Sequence, residues 1–292
     1  VDNPLQPTLL SFCTGYAGIE LGIEKAIGKV NTLTYVEIEA YAIANLVSKM
    51  ENNSLVPAAI WTDITSFPAE MFRRKIDIIS GCYPCQGFSA IGYDKTGRNP
   101  IHLWPYIRRA IDIIRPAICF FENIESHIEN GLDTVLKDLT ELDYTATWGI
   151  FSAAEIGLPH QRKRIFILGY RPGGSTKFEL RDWKRQCRPV AKPGQVQFQW
   201  EESRVLEDTG NNRGGGRGQE LADNSEGWPG NDEIEGSGQP LDNSDKSEEI
   251  ESSLGRTVDG TLSRVDRLRL LGNGVIPESA AIAFKTLLER LI

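Results

Sequence analysis

From residue 8 to residue 170 the chain alternates short apolar runs with amphipathic stretches, and this alternation restricts the fold more than any other feature. TLLSF (8–12), LTYVE (33–37), IDIIS (76–80), AICFF (117–121), YTATWGIF (144–151) and RIFILGY (164–170) read as strands. They are short, rich in β-branched and aromatic residues, and mostly apolar on both faces, as in a sheet covered on both sides. Between them GIELGIEKAIG (18–28), EAYAIANLVSKM (39–50), LWPYIRRAIDII (103–114) and TVLKDLTEL (134–142) carry apolar residues at helical spacing. The pattern predicts an α/β fold with a doubly wound, mostly parallel sheet. In such sheets ligands bind at the carboxyl ends of the strands. GCYPCQ (81–86) and ENIES (122–126) both fall there.

Beyond Gly169 the character changes. Residues 172–205 carry Arg, Lys, Trp and Phe with weak strand patterning, and residues 208–260 are rich in Gly, Ser, Asn, Asp and Glu. The second stretch predicts long loops or disorder. PESAAIAFKTLLERL (277–291) returns to an amphipathic helix with Pro277 in its first turn. The expected organisation is therefore one α/β unit over 1–170 and 261–292, interrupted by a small, loop-rich unit over 171–260.

A length of 292 residues suits one large α/β domain or two unequal ones. Five scattered cysteines argue against a disulfide framework and for a reducing, cytoplasmic compartment. The first residues show no basic segment leading into an apolar one, so no signal peptide is expected, and no apolar run nears the roughly 18 residues of a membrane span. A net charge of −8 disfavours a protein that coats nucleic acid, yet permits a local basic cleft.

SFCTGYAGIELG (11–22) is a strand, a glycine-containing turn and a helix. Gly15, Gly18 and Gly22 permit a tight turn and close backbone approach. Glu37, about 20 residues on, closes the next strand, where a carboxylate can accept from both hydroxyls of a ribose. The spacing departs from GxGxxG, which disfavours a dinucleotide and favours a ribose-bearing cofactor without pyrophosphate, such as S-adenosylmethionine. Asp63, in WTDIT, is placed to accept from an adenine amino group.

Cys82 and Cys85 admit several readings. Zinc would need two further ligands, and no second CxxC exists. A redox pair and a purely structural role stay open. A nucleophile gains from its surroundings in the predicted sheet: Glu122 and Asn123 follow one strand, and His160, Arg162 and Arg164 precede or open another.

These blocks resemble, in order, those of the C5-cytosine DNA methyltransferases. SFCTGYAGIELG is similar to the cofactor loop, VEIE and TDIT to the ribose and adenine contacts, and GCYPCQGFSAIG to the catalytic Pro-Cys-Gln loop. FENIE is similar to the Glu-Asn motif, GLPHQRKRIFILG to the arginine motif, and LLGNGVIPESA to the late Gly-Asn block. The resemblance covers residues 8–170 and about 265–292. It implies a Rossmann-like methyltransferase fold, S-adenosylmethionine as cofactor, and double-stranded DNA as partner. It further implies a cytoplasmic, bacterial or phage setting, a restriction endonuclease as companion, and a monomer that flips its target base. Cys85, following Pro84, would be the nucleophile. Glu122 would neutralise charge on the ring, Arg164 would hold the base O2, Arg162 would brace the loop or contact phosphate, and Asn123 would fix the backbone around Pro84 and Cys85. The cofactor would touch Cys13, Thr14, Gly15, Tyr16, Ala17, Gly18, Ile19, Glu37, Ile38, Asp63, Ile64, Gly81, Leu103, Asn273, Gly274 and Val275. Gln86 and Ser89, with the loop 90–100, would close over the flipped base.

The chain departs from the family pattern at several points. Cys13 stands where many members carry phenylalanine, Ala17 replaces a glycine, and His160 replaces a glutamine. The arginine-rich block before the Gly-Asn motif is reduced to SRVDRLRLLGNG (263–274), where Arg264, Arg267 and Arg269 are expected to line or stabilise a helix rather than to replace it. The target-recognition region is short of core-forming residues, and Lys177, Arg181, Lys184, Arg185, Arg188 and Lys192, with Trp183 and Trp200, hold most of what can bind DNA. A short or relaxed target sequence, or help from a partner, follows as an expectation. The competing readings are a tRNA cytosine methyltransferase, a non-catalytic cofactor- or DNA-binding relative, and a thiol oxidoreductase.

Overall fold

The computed structural model describes residues 6–84, 102–156, 162–173, 183, 185, 187 and 274–291. Among these residues seven strands form one sheet. They are β1 (Thr8–Phe12), β2 (Asn31–Val36), β3 (Ala59–Trp61), β4 (Ile78–Gly81), β5 (Ile118–Ile124), β6 (Thr145–Phe151) and β7 (Arg164–Tyr170). Their spatial order is β3-β2-β1-β4-β5-β7-β6. The pairs from β3 through β5 are all parallel, whereas β7 runs antiparallel to both β5 and β6. The sheet is thus mostly parallel, as the alternation predicts, with one reversed strand inserted near its edge.

Five helices cover it: α1 (Gly18–Ile27), α2 (Ala40–Glu51), α3 (Trp104–Ile114), α4 (Leu132–Glu141) and α5 (Pro277–Arg290). Alternate residues of each central strand face opposite sides. Leu9, Ile78, Phe120 and Phe166 join α1 and α5 in one apolar layer. Leu10, Ile79, Phe121 and Ile167 join α3 and α4 in the other. This two-sided burial is why the strands lack alternating polarity. The strand β3 escapes sequence reading because it has only three residues, at the sheet edge, none of them buried. Helix α4 begins two residues earlier than its apolar spacing predicts, after Gly131 at φ 131°.

The helix α5, distant in sequence, lies directly on α1. A Cβ at Gly22 would stand 2.5 Å from the Ala280 Cβ and 2.7 Å from the Pro277 carbonyl oxygen. A Cβ at Gly18 would stand 1.9 Å from the carbonyl oxygen of Val275. The close approach that these two glycines permit is therefore to the C-terminal segment of the chain itself. Phe284, Leu287 and Leu288 complete the contact from the α5 side, all fully buried. Gly22→Ala is expected to destabilise the fold by about 1–3 kcal/mol, the usual cost of overpacking a close helix contact. A lowered urea midpoint at unchanged slope is the expected observation.

Candidate active site

Reversal of β7 places its first residue at the same edge as the last residues of its neighbours. Arg164 lies opposite Ile124 on β5 and Phe151 on β6. Glu122 lies opposite Phe166, so Glu122 and Arg164 are diagonal neighbours on one face of the ladder. The Arg164 Nε donates to the Glu122 Oε1 at 3.0 Å. Glu122 is only 5% exposed. Burial raises its pKa to about 7, outweighing Arg164, Arg162 and a hydrogen bond from the Cys82 thiol, all of which act to lower it. A carboxyl in this setting exchanges a proton near neutral pH, which suits general acid–base work. The Cys82 thiol is held neutral, its pKa driven up by burial and then by the Glu122 charge.

Asn123, the next residue, turns to the other face and fixes the start of the GCYPCQ loop. Its Nδ2 donates to the Tyr83 carbonyl at 2.9 Å, while its Oδ1 accepts from the Ile124 N–H at 2.9 Å. Tyr83 is held at its other end too. Its hydroxyl and the Nε2 of His127 lie 2.9 Å apart, and its ring packs on Trp104 and Phe121. His127 is fully buried, which lowers its pKa to about 4, so the ring is neutral at neutral pH. Pro84, half-buried, is thus delivered from a backbone pinned one residue earlier. Cys85, Gln86 and Ser89 lie outside the described residues, as does the loop 90–100.

The glycine-containing turn, residues 13–17, follows β1. Cys13, Gly15 and Ala17 all have positive φ, at 50°, 59° and 67°. This alternation folds the chain tightly between β1 and α1 and turns the Gly15 N–H onto Glu37. The Glu37 Oε2 accepts from Gly15 at 2.7 Å, and its Oε1 accepts from the N–H groups of Ile38 and Glu39 at 2.9 Å each. Thr14 braces the same turn through Ser11, hydroxyl to hydroxyl at 2.8 Å. A Cβ at Gly15 would meet nothing within 4 Å, and Ile38 is 71% exposed. An open turn, a carboxylate with lone pairs to spare and a bare apolar side chain fit a nucleoside with free ribose hydroxyls. Cys13 is no anionic thiol: burial, then the Glu37 charge, pushes its pKa up to about 12.

Other predicted cofactor residues take structural duties. The side chain of Ile19 packs in the core under α1. Gly81 ends β4 where a Cβ would press the Phe12 carbonyl oxygen at 3.0 Å. Leu103 precedes α3 and accepts from the N–H groups of Tyr106 and Ile107. Asp63 accepts from the N–H and hydroxyl of Thr65, capping the turn Ile64–Ser66, and the half-buried Ile64 packs against the α3 layer. Gly274 and Val275 reach the site from the far end of the chain: the Arg162 Nη2 donates to the Gly274 carbonyl at 2.5 Å, and the Tyr16 hydroxyl donates to that of Val275. Asn273 lies outside the described residues, as do Lys177, Arg181, Lys184, Arg188, Lys192 and Trp200. Arg185 is exposed. Trp183 corrects the sequence expectation, for it is fully buried in the core layer beneath α1 and α5 and cannot face DNA.

A model of the C-5 cytosine-specific DNA methylase family matches residues 8–251. The chain belongs to that family. The type II methyltransferase M.CviJI of Paramecium bursaria Chlorella virus IL3A is 34% identical over 194 residues, covering 62% of this chain and 49% of the relative. The type II methyltransferase M1.HphI of Haemophilus parahaemolyticus is 26% identical over 181 residues, covering 59% and 48%. The chain spans about half the length of the curated relatives it matches. The crystal structure of the S. pombe Dnmt2 methyltransferase superposes with a TM-score of 0.61 at 18% identity, over 98% of this chain and 99% of that one. That likeness establishes a Rossmann-like methyltransferase fold.

Within this C-5 cytosine methylase fold, several residues that shape the site escape sequence reading. Lys49 lies in the last turn of α2, where a lysine reads as a solvated surface residue, and His127 is a lone histidine without a motif. Glu20 lies in the glycine-rich block yet buries its carboxyl against the Ser80 hydroxyl at 2.6 Å. Only the packed structure reveals their partners.

The raised pKa of Glu122 has a stability consequence. Its folded pKa, about 7, lies above the unfolded value of 4.5. Between these values the folded state binds the extra proton, so stability falls as pH rises through the window. Glu122→Gln removes this dependence. The stability of the wild type relative to Glu122→Gln is therefore expected to decline between pH 5 and pH 8 in urea titrations. A constant difference would contradict the shifted carboxyl.

Proposed function

We propose that this chain is a DNA (cytosine-5-)-methyltransferase that methylates C5 of a cytosine flipped out of duplex DNA, through a transient thioether between Cys85 and C6 of the base. The observation that carries this reading is the Glu122 carboxyl, buried against Arg164 and beside Cys82, with its pKa raised to about 7. Cytosine C5 is a poor nucleophile, and addition of a thiolate at C6 makes it enamine-like. As the Cys85 sulfur adds, Glu122 gives its proton to N3, so charge does not build on the ring. Arg164 holds the base O2 and keeps the ionised Glu122 paired. Asn123, through Tyr83, fixes the backbone leading to the nucleophile. When bound, S-adenosylmethionine supplies an electrophilic methyl group, which C5 takes up. A base, for which water suffices, then removes the C5 proton, the sulfur leaves as thiolate, and N3 returns its proton to Glu122. Gly15, Glu37 and Ile38 are the residues whose open arrangement suits the nucleoside of that cofactor.

Residues 171–260 are assigned to target recognition, with Lys177, Arg181, Lys184 and Arg185 on the DNA and Gln86 and Ser89 closing on the flipped base. The relatives' designation as type II methyltransferases supports a companion restriction endonuclease. Chemistry on one strand at a time is consistent with a monomer.

Duplex DNA carrying 5-fluorocytosine tests the proposal, because fluorine cannot leave as a cation and the adduct persists. With S-adenosylmethionine present, wild type is expected to form a denaturation-resistant complex and Cys85→Ser none. Glu122→Gln is expected to lower kcat on ordinary duplex by about 10²–10⁴-fold, the range of a lost general acid. Methyl transfer to tRNA and none to duplex DNA would overturn the assignment.

A further inference from the structure

Lys49 is 6% exposed, on the inner face of α2. Burying an ammonium is costly unless it is paired or hydrogen-bonded, and an apolar side chain would fill the same space more cheaply. Its Nζ donates to the Tyr16 carbonyl at 2.7 Å and lies 4.9 Å from the centroid of the Tyr16 ring. It also sits in the field of the buried Glu20 carboxyl. The carbonyl it grips immediately precedes Ala17, which holds a left-handed φ of 67° despite its Cβ. Lys49 thus fixes the loop at its most disfavoured backbone.

The same residue, Tyr16, reaches in the other direction. Its hydroxyl donates to the Val275 carbonyl, an approach that Gly18 permits by lacking a Cβ. The preceding carbonyl, of Gly274, accepts from Arg162 at 2.5 Å. Arg162 is two residues from Arg164, whose guanidinium holds Glu122. Two consecutive carbonyls therefore bridge the cofactor loop to the arginine pair, and both stay in place only while α5 remains seated on α1.

We infer that Lys49 and Tyr16 are positioning residues: they form a strap that sets the cofactor loop and ties it, through the backbone of Gly274 and Val275, to the arginines beside Glu122, so that cofactor and DNA bind with coupled affinity. This inference rests on the methyltransferase reading above. Coupling of this kind is reciprocal, so it is measurable from either ligand. Loss of one buried hydrogen bond is expected to weaken cofactor binding by about 3- to 10-fold.

The test measures binding of S-adenosylhomocysteine by calorimetry, and binding of mixed-sequence duplex DNA at low salt with and without it, for wild type, Tyr16→Phe, Lys49→Met and Lys49→Arg. Wild type is expected to bind DNA more tightly when S-adenosylhomocysteine is present. Tyr16→Phe, which deletes one hydroxyl and keeps the ring, is expected to lose most of that enhancement with its urea midpoint little changed. Lys49→Met is expected to weaken S-adenosylhomocysteine binding, and Lys49→Arg, which can donate to the same carbonyl, to restore much of it. The same enhancement in wild type and Tyr16→Phe, or none in either, overturns the strap. Failure of wild type to bind S-adenosylhomocysteine overturns the functional reading itself, and the strap with it.

Discussion

The antiparallel pairing of β7 with β5 fixes the geometry on which the site depends. In an all-parallel sheet the first residue of β7 would lie at the end opposite the ligand site. Reversed, β7 brings Arg164 beside the last turn of β5 and carries Arg162 just beyond the edge. Seven consecutive residue pairs, Ile118↔Tyr170 through Ile124↔Arg164, hold that register. A slip of one residue would turn Arg164 to the opposite face from Glu122 and expose the apolar residues that follow. The core layers on the two faces therefore enforce the pairing of a carboxyl with a guanidinium at the rim.

Two opposing effects meet at Glu122. Removal from water favours the neutral acid, and the two guanidiniums favour the carboxylate. Burial prevails, though only far enough to bring the group near neutrality. A fully exposed pair would leave the carboxyl an ordinary anion, and a buried carboxyl without arginines would stay protonated throughout the physiological range. The balance leaves a group able to give and recover one proton near neutral pH. Its neighbour Asn123 contributes to the same site through the backbone, holding Tyr83 from one side while His127 holds it from the other.

Much of the fold is legible in the sequence, because strands buried on both faces must be apolar throughout and the helices between them must be amphipathic. Six strands and five helices follow from that rule. Strand direction does not, since RIFILGY reads the same whichever way it runs. The edge strand β3 is too short and too exposed to leave a pattern. At the site, Glu122, Asn123, Arg162 and Arg164 stand out as polar residues at strand ends. Trp183 misleads for the opposite reason: a tryptophan among basic residues looks like a nucleic-acid contact, yet it joins a core cluster whose other members lie far away in sequence. Lys49 is invisible because nothing local distinguishes a buried lysine from a solvated one. The glycines at 18 and 22 show their positions but not their reason, which for Gly18 is the Val275 carbonyl and for Gly22 the approach of α5.

Packing, rather than a bound substrate, prepares Glu122 to carry a proton. Infrared difference titration of wild type against Glu122→Gln, with no ligand present, measures it directly by following the carboxylic acid band of that one residue. A midpoint near pH 7 is the predicted result. A midpoint in the ordinary carboxylate range, near 4.5, would show that the arginines prevail over burial and would contradict the account.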